Sequence, residues 1–136
     1  MIPTCSPSKT ILCIDDDYSI LRFEKALLER SGYGVLTATS AQEGLELATT
    51  CMCDAVVLEY QLPEMNGHQV ASEIRLVRPN LVIVLLSGSE VPPQALAVVD
   101  AFVPKLESSK HLLPIIAALC SESGNTTQAR TGGLRT

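Results

Sequence analysis

The sequence has 136 residues, which is enough for one domain with a sizeable core and too few for two. Hydrophobic residues make up 46% and charged residues 18%, which is typical of a folded globular chain and excludes a disordered one. The net charge of −5 argues against a nucleic-acid-binding surface and is compatible with binding a cation. No apolar run has membrane-spanning or signal-peptide character, so a cytoplasmic protein is expected.

Apolar runs and amphipathic stretches alternate five times along the chain. The runs that predict strands are 11–14, 34–38, 54–59, 81–87 and 101–104. The stretches that predict helices are 18–31, one capped by Ser40, 66–77, a short one over about 91–99, and 108–120. This alternation predicts an α/β fold, a doubly wound five-stranded parallel sheet with helices on both faces.

The same pattern sets the predicted domain limits. Residues 1–8 are an N-terminal extension, 9–120 form the domain, and 121–136 lack apolar periodicity and are predicted to be a disordered tail. In the first helix, the apolar positions of the helical pattern are Ile20, Leu21, Leu27 and Leu28, whereas Glu24 is assigned to the polar positions with the other charged residues.

Polar side chains stand at the carboxyl ends of four of the predicted strands. They are Asp15, Asp16 and Asp17, then Glu59, Ser87 and Lys105. Each one alone is explained by helix capping, a turn or a surface charge. Because the carboxyl ends of parallel strands meet at one edge of the sheet, together they predict a compact site. Its acids are suited to Mg²⁺, and its hydroxyl and ammonium groups to the oxygens of a phosphoryl group.

Four motifs carry a resemblance to a known family: ILCIDDD, VVLEYQLPEMNG, LLSGSE and AFVPK. In combination, and over about residues 9–120, the chain resembles the receiver domain of response regulators, the phospho-accepting module of two-component signalling. The resemblance implies a flavodoxin-like fold and Mg²⁺-assisted acceptance of a phosphoryl group from a histidine kinase or phosphotransfer protein. It further implies a downstream protein target, no direct contact with nucleic acid or membrane, and no enzymatic turnover beyond the domain's own phosphorylation and dephosphorylation.

The resemblance also implies roles for individual residues. It assigns Mg²⁺ to three carboxylates and one backbone carbonyl, those of Asp15, Asp16, Glu59 and Gln61. It assigns phosphoryl acceptance and switching to Glu59 at the phosphoacceptor position, Ser87, Phe102 and Lys105. Ser87 is the hydroxyl that meets the phosphoryl group, Phe102 the aromatic that turns inward, and Lys105 the lysine that pairs with the acceptor.

Glu59 is the main departure from the family, which carries Asp at this position. Its carboxylate stands about 1.5 Å further out, and a displacement of that size lowers the rate of an in-line transfer on the order of a hundredfold. Glu59 also resembles a phosphomimetic residue, with one negative charge against roughly two for a phosphate. We therefore expect impaired phosphorylation or partial mimicry, with Phe102 partly exposed.

Two further departures concern the output side, which the family forms from helix four and strand five. Leu106 replaces the usual proline after the lysine, so a trans peptide bond is expected there. The interval from Ser87 to Lys105 is about one helical turn shorter than usual, so the fourth helix should be short.

Two other classes of protein compete with a switching receiver. One is a pseudo-receiver that has lost phosphorylation and acts by binding alone. The other is a haloacid-dehalogenase-type phosphatase, since Asp15-x-Asp17-x-Ser19 resembles its nucleophile motif. The chain leaves no room for the cap domain of such phosphatases, which disfavours the enzyme.

Overall fold

The computed structural model of the chain describes residues 9–124. Its strands are β1 (Thr10–Ile14), β2 (Gly34–Ala38), β3 (Ala55–Glu59), β4 (Val82–Ser87) and β5 (Ala101–Pro104). Its helices are α1 (Tyr18–Arg30), α2 (Ala41–Thr50), α3 (Gly67–Val77), α4 (Pro93–Leu96) and α5 (Ser108–Gly124). A 3₁₀ turn, Lys105–Glu107, joins β5 to α5.

The strands form one parallel sheet in the order β2-β1-β3-β4-β5. The residues of β3 and β4 are buried throughout, because these apolar strands have neighbours on both sides and helices on both faces. Helices α1 and α5 pack on one face, and α2, α3 and α4 pack on the other. The predicted α/β doubly wound sheet is confirmed.

The last helix is longer than the sequence pattern predicts. Helix α5 continues to Gly124, so the prediction that a tail begins at residue 121 is wrong by four residues. The remaining predicted tail and the predicted extension 1–8 lie outside the described residues. Over 9–124, no helix combines the length and the apolar character that a membrane span requires.

Helix α4 is four residues long, as the short interval before Lys105 predicts. Pro92 and Pro93 stand at its start, where the fixed φ of proline suits the first turn and its missing N–H is not needed. The helix ends by Ala97, and the chain reaches β5 through two turns.

The connection after α4 is fixed to α3 by the side chain of Arg75. Its Nε donates to the carbonyl of Val98 at 3.1 Å and one Nη donates to that of Pro79 at 3.1 Å. The other Nη forms an ion pair with Asp100 at 2.8 Å, and the same carboxylate oxygen accepts from the N–H of Ile83 at 2.8 Å. The amino ends of β4 and β5 are therefore held to one guanidinium group.

Glu24 is not on the polar side of α1, and that assignment is wrong. Its side chain is buried with 1% exposure, beside Leu21 and Leu28 on the face that packs against the sheet. Residue 24 lies three positions after Leu21 and four before Leu28, so helical geometry points all three inward. Glu24 Oε1 has no hydrogen-bond partner, and no ion pair in residues 9–124 includes Glu24.

The loop after β3 brings α3 directly against the end of that strand. A Cβ at Gly67 would lie 2.8 Å from Tyr60 Cα and 2.9 Å from the carbonyl oxygen of Glu59. Asn66 and Gln69 form a reciprocal capping box at the start of α3. The Asn-Gly pair of VVLEYQLPEMNG is thus explained by close packing, and this packing fixes the backbone that carries Glu59.

Candidate functional site

Lys105 brings together two carboxylates from two other strands at the carboxyl edge of the sheet. Its Nζ lies 3.0 Å from Asp15 Oδ2, just after β1, and forms a second ion pair with Oε1 of Glu59 at the end of β3. Asp15 and Glu59 are 1% and 3% exposed, whereas Lys105 is partly exposed at the rim. One ammonium group is therefore shared by two buried acids and offsets one of their two negative charges.

The charged groups at this edge shift one another's pKa values. Burial raises the pKa of Asp15, an effect that the Asp17 backbone N–H and Lys105 oppose and the neighbouring Glu59 reinforces. Burial by itself lowers the pKa of Lys105, but the hydrogen bonds and charges of Glu59 and Asp15 outweigh it, so that pKa is raised. Lys105 is accordingly a firmly protonated cation at neutral pH.

The second oxygen of Glu59 is also engaged. Glu59 Oε2 accepts a hydrogen bond of 2.7 Å from the backbone N–H of Gln61. With Oε1 on Lys105 and Oε2 on this N–H, the carboxylate is held in one orientation. The role of Gln61 that the structure displays is this backbone donor, and its predicted carbonyl role toward a metal remains a prediction.

Ser87 and Phe102 do not join this cluster. Ser87 is buried at the end of β4, and its Oγ accepts from the N–H of Ser89 at 3.1 Å. No hydrogen bond between Ser87 and Glu59 exists in the described part of the chain. Phe102 is partly buried against the core on the α2, α3 and α4 face. The influence of Glu59 on the position of Phe102 stays a prediction.

The three consecutive aspartates have three different environments. Asp15 is the buried partner of Lys105, and Asp16 is exposed. Asp17 caps α1, with its carboxylate accepting from the N–H of Ser19 at 2.8 Å. The N–H of Asp17 in turn donates to Asp15 Oδ1 at 2.9 Å. The start of α1 is therefore linked through Asp17 and Asp15 to the Lys105 cluster, which consists of Lys105, Asp15 and Glu59.

Carboxylate and carbonyl oxygens, the donors predicted for Mg²⁺, are the kind that suits a hard cation. Their arrangement does not fit a preformed metal site. Lys105 occupies the space between Asp15 and Glu59, and no group of three His, Cys, Asp or Glu side chains within 9–124 is placed to hold a metal ion. Mg²⁺ would therefore have to compete with the ammonium group for Asp15.

The connection after β5 takes the expected course. The Lys105–Leu106 peptide bond is trans, as predicted for a non-proline residue. Leu106 is 95% exposed, on the 3₁₀ turn beside the Lys105 cluster.

The strand order and the acid–lysine cluster at the carboxyl edge define a flavodoxin-like α/β domain with a receiver-type site. The chain belongs to the response regulator receiver domain family, which residues 11–117 match. It is thus a receiver domain of two-component signalling.

Known proteins support this family assignment. The chain is 36% identical, over 83 residues, to the alkaline phosphatase synthesis transcriptional regulatory protein PhoP of Bacillus subtilis, covering 61% of this chain and 35% of that protein. It is 30% identical over 124 residues to the transcriptional regulatory protein GlrR of Escherichia coli, covering 88% of this chain and 28% of that protein. The chain thus spans about a third of the length of these relatives.

Solved structures agree on the fold. A CheY-like receiver domain protein from Methanospirillum hungatei superimposes with a TM-score of 0.81 at 28% identity, covering 85% of this chain and 96% of that chain. The response regulator TrrA of Thermotoga maritima, solved in complex with Mg²⁺ and BeF, gives a TM-score of 0.78 at 28% identity, covering 82% and 98%.

Proposed function

We propose that this chain is a receiver domain that engages its protein partner without being phosphorylated. The observation that carries the proposal is the position of Glu59, whose two oxygens hold Lys105 and the N–H of Gln61. A phosphoryl group on a receiver needs these same cationic and N–H donors. From the family we infer three classes of partner: a histidine kinase, a phosphotransfer protein and a downstream target. We infer a cytoplasmic location from the family as well.

Glu59 is a poor acceptor for two geometric reasons. Its carboxylate, which is itself buried, must leave Lys105 or Gln61 before an oxygen is free to attack. Its extra methylene group also moves the attacking oxygen out of line by about 1.5 Å. A misplacement of this size lowers the rate on the order of a hundredfold.

Glu59 is also an incomplete mimic of a phosphorylated residue. It carries one negative charge and makes no hydrogen bond to Ser87. A charge-assisted hydrogen bond contributes roughly 1.5–3 kcal/mol, whereas reversing a two-state equilibrium from 1:99 to 99:1 takes about 5.5 kcal/mol. The domain should therefore keep one dominant conformation, as a pseudo-receiver does, rather than alternate between two.

Phosphorylation of a Glu59→Asp variant tests this function. The chain and the variant are incubated with a small phosphodonor and Mg²⁺, and their intact masses are measured. We expect the chain to stay unmodified and Glu59→Asp to gain one phosphoryl group, because the shorter acid restores the in-line distance.

The matched control is Glu64→Asp, which shortens an exposed acid in the same loop. It should remain unmodified like the parent chain. Equal modification of the parent and Glu59→Asp would contradict the geometric argument and restore a phosphorylated switch as the function. Modification of neither would strengthen the pseudo-receiver.

The response to Mg²⁺ gives a second prediction. Millimolar Mg²⁺ should raise the melting temperature of the chain, since a ligand that binds only the folded state stabilises it. We propose Asp15, Asp16 and the Gln61 carbonyl as its ligands, so Asp16→Ala should abolish the shift. Because Lys105 holds Asp15, the shift should appear only at high concentration. A melting curve that does not move with Mg²⁺ would mean that Lys105 has taken the cation's place.

A further inference from the structure

Glu24 gives α1 an unusual attachment to the sheet. Among the described helix side chains it is the only charged group that is buried, at 1% exposure. The thiol of Cys13 is a weak partner for this carboxyl, and Oε1 has no hydrogen-bond partner, which weakens the packing of α1 whether the carboxyl is charged or protonated. Asp15 and Glu59 are also buried, but each has Lys105 as a counter-charge. Glu24 has none.

The rest of the buried face of α1 is small. In thirteen residues, Leu21 and Leu28 are the two fully buried apolar side chains, and Leu27 is partly buried. Helix α3 buries three apolar side chains within eleven residues and carries no buried charge. Since local stability follows buried apolar area and satisfied polar groups, α1 should be less firmly attached than α3.

The first turn of α1 touches the site. Asp17 caps the helix through the N–H groups of Ser19 and Ile20, and its own N–H holds Asp15 Oδ1. Asp15 in turn is paired with Lys105. A change in the Asp15–Lys105 pair therefore reaches the cap of α1 through one hydrogen bond.

From these contacts we infer that α1 is a built-in opening element. It detaches from the sheet as a unit more readily than the other long helices, because Glu24 weakens its inner face. The Asp15–Asp17 hydrogen bond links this opening to the state of the Lys105 cluster, that is, to whether Asp15 is paired with Lys105. The inference rests on Glu24 and Asp17, so it stands whether or not Glu59 accepts a phosphoryl group.

Hydrogen–deuterium exchange of the whole chain, read by mass spectrometry on peptides from α1 and α3, tests the opening. We expect the amides of α1 to exchange at least tenfold faster than those of α3. Glu24→Leu should slow α1 by tenfold or more and α3 by clearly less. Glu29→Gln removes a charge from the exposed side of the same helix and should leave the ratio unchanged.

The link to the site is tested by two further variants. Asp17→Ala removes the cap, and Lys105→Met frees Asp15; each should raise the ratio of α1 exchange to α3 exchange. Equal exchange of α1 and α3 in the parent chain, or a uniform slowing of both by Glu24→Leu, would overturn the opening element. An unchanged ratio in Lys105→Met would overturn its link to the site.

Discussion

Replacing Glu24 by leucine should stabilise the domain by about 1–4 kcal/mol at pH 7, measured by urea denaturation. Exchanging a buried polar group for an apolar one of similar volume removes its desolvation penalty and adds buried apolar area. Leucine also continues the stripe that Leu21 and Leu28 begin on α1. Most single substitutions destabilise a domain, so a gain of this size at a charged residue would be diagnostic.

The gain should depend on pH in a defined direction. Burial first, and then the charge of Asp15, raises the pKa of Glu24 from 4.5 to about 8. Between these two values the folded chain keeps a proton that the unfolded chain releases, so stability falls as pH rises, by roughly 1.4 kcal/mol per unit for this group. Glu24→Leu removes this loss. Its advantage over the parent chain should therefore be small near pH 5 and largest near pH 8.

The ionisable groups near Glu24 determine how much of the pH dependence of stability is due to Glu24 alone. Cys13 on β1 is hydrogen-bonded to Glu24, Asp15 follows just after β1, and Glu59 and Lys105 contribute charges from the site. The pKa of Asp15 is raised as well, so the Glu24→Leu variant keeps part of the pH dependence of the parent chain. Glu29→Gln is the control on the exposed side of α1. A parallel pH dependence of the parent and Glu24→Leu would show that Glu24 is ionised in the fold.

Lys105→Met should destabilise the domain by about 3–5 kcal/mol, again by urea denaturation at pH 7. Removing one partner of a buried ion pair leaves the other charges uncompensated, and here two carboxylates lose the same ammonium group. The loss should exceed that of Lys110→Met, which removes an exposed lysine from α5.

A second substitution separates charge from packing. Adding Glu59→Gln to Lys105→Met removes one of the two stranded charges, so the double variant should regain part of the lost stability. Such non-additivity is what a double-mutant cycle measures for groups in one network. If the double variant is as unstable as the sum of the two single losses, the ion pair between Lys105 and Glu59 does not stabilise the fold.

Much of this structure could be predicted because its signals are local. The apolar runs predict the strands, and the carboxyl edge of a parallel sheet brings Asp15, Glu59 and Lys105 together. The short α4 follows from counting residues between Ser87 and Lys105 and from the two prolines. Each of these conclusions depends on neighbours in the sequence or on one rule of topology.

The features that the sequence did not predict depend on two conflicting local signals or on contacts between residues that are far apart in the sequence. The helical spacing of Glu24 indicates a position that faces the core, whereas its charge indicates the surface. The prediction followed the charge, and the structure follows the spacing. The end of α5 escaped because the polar stretch after Cys120 continues the helix without apolar periodicity. The Arg75–Asp100 pair joins residues 25 positions apart, which no pattern in a single sequence indicates.

The four-residue α4 has a consequence for signalling fidelity. A helix of this length extends only about 6 Å, so this side of the domain offers a single helical turn. A partner that binds a long helix at this position would lack most of its contacts here, and Arg75 holds the adjoining connection through Val98 and Asp100. Discrimination of this kind works by withholding contacts from the wrong partner. We therefore expect a partner that requires a longer helix at this position to bind this domain weakly.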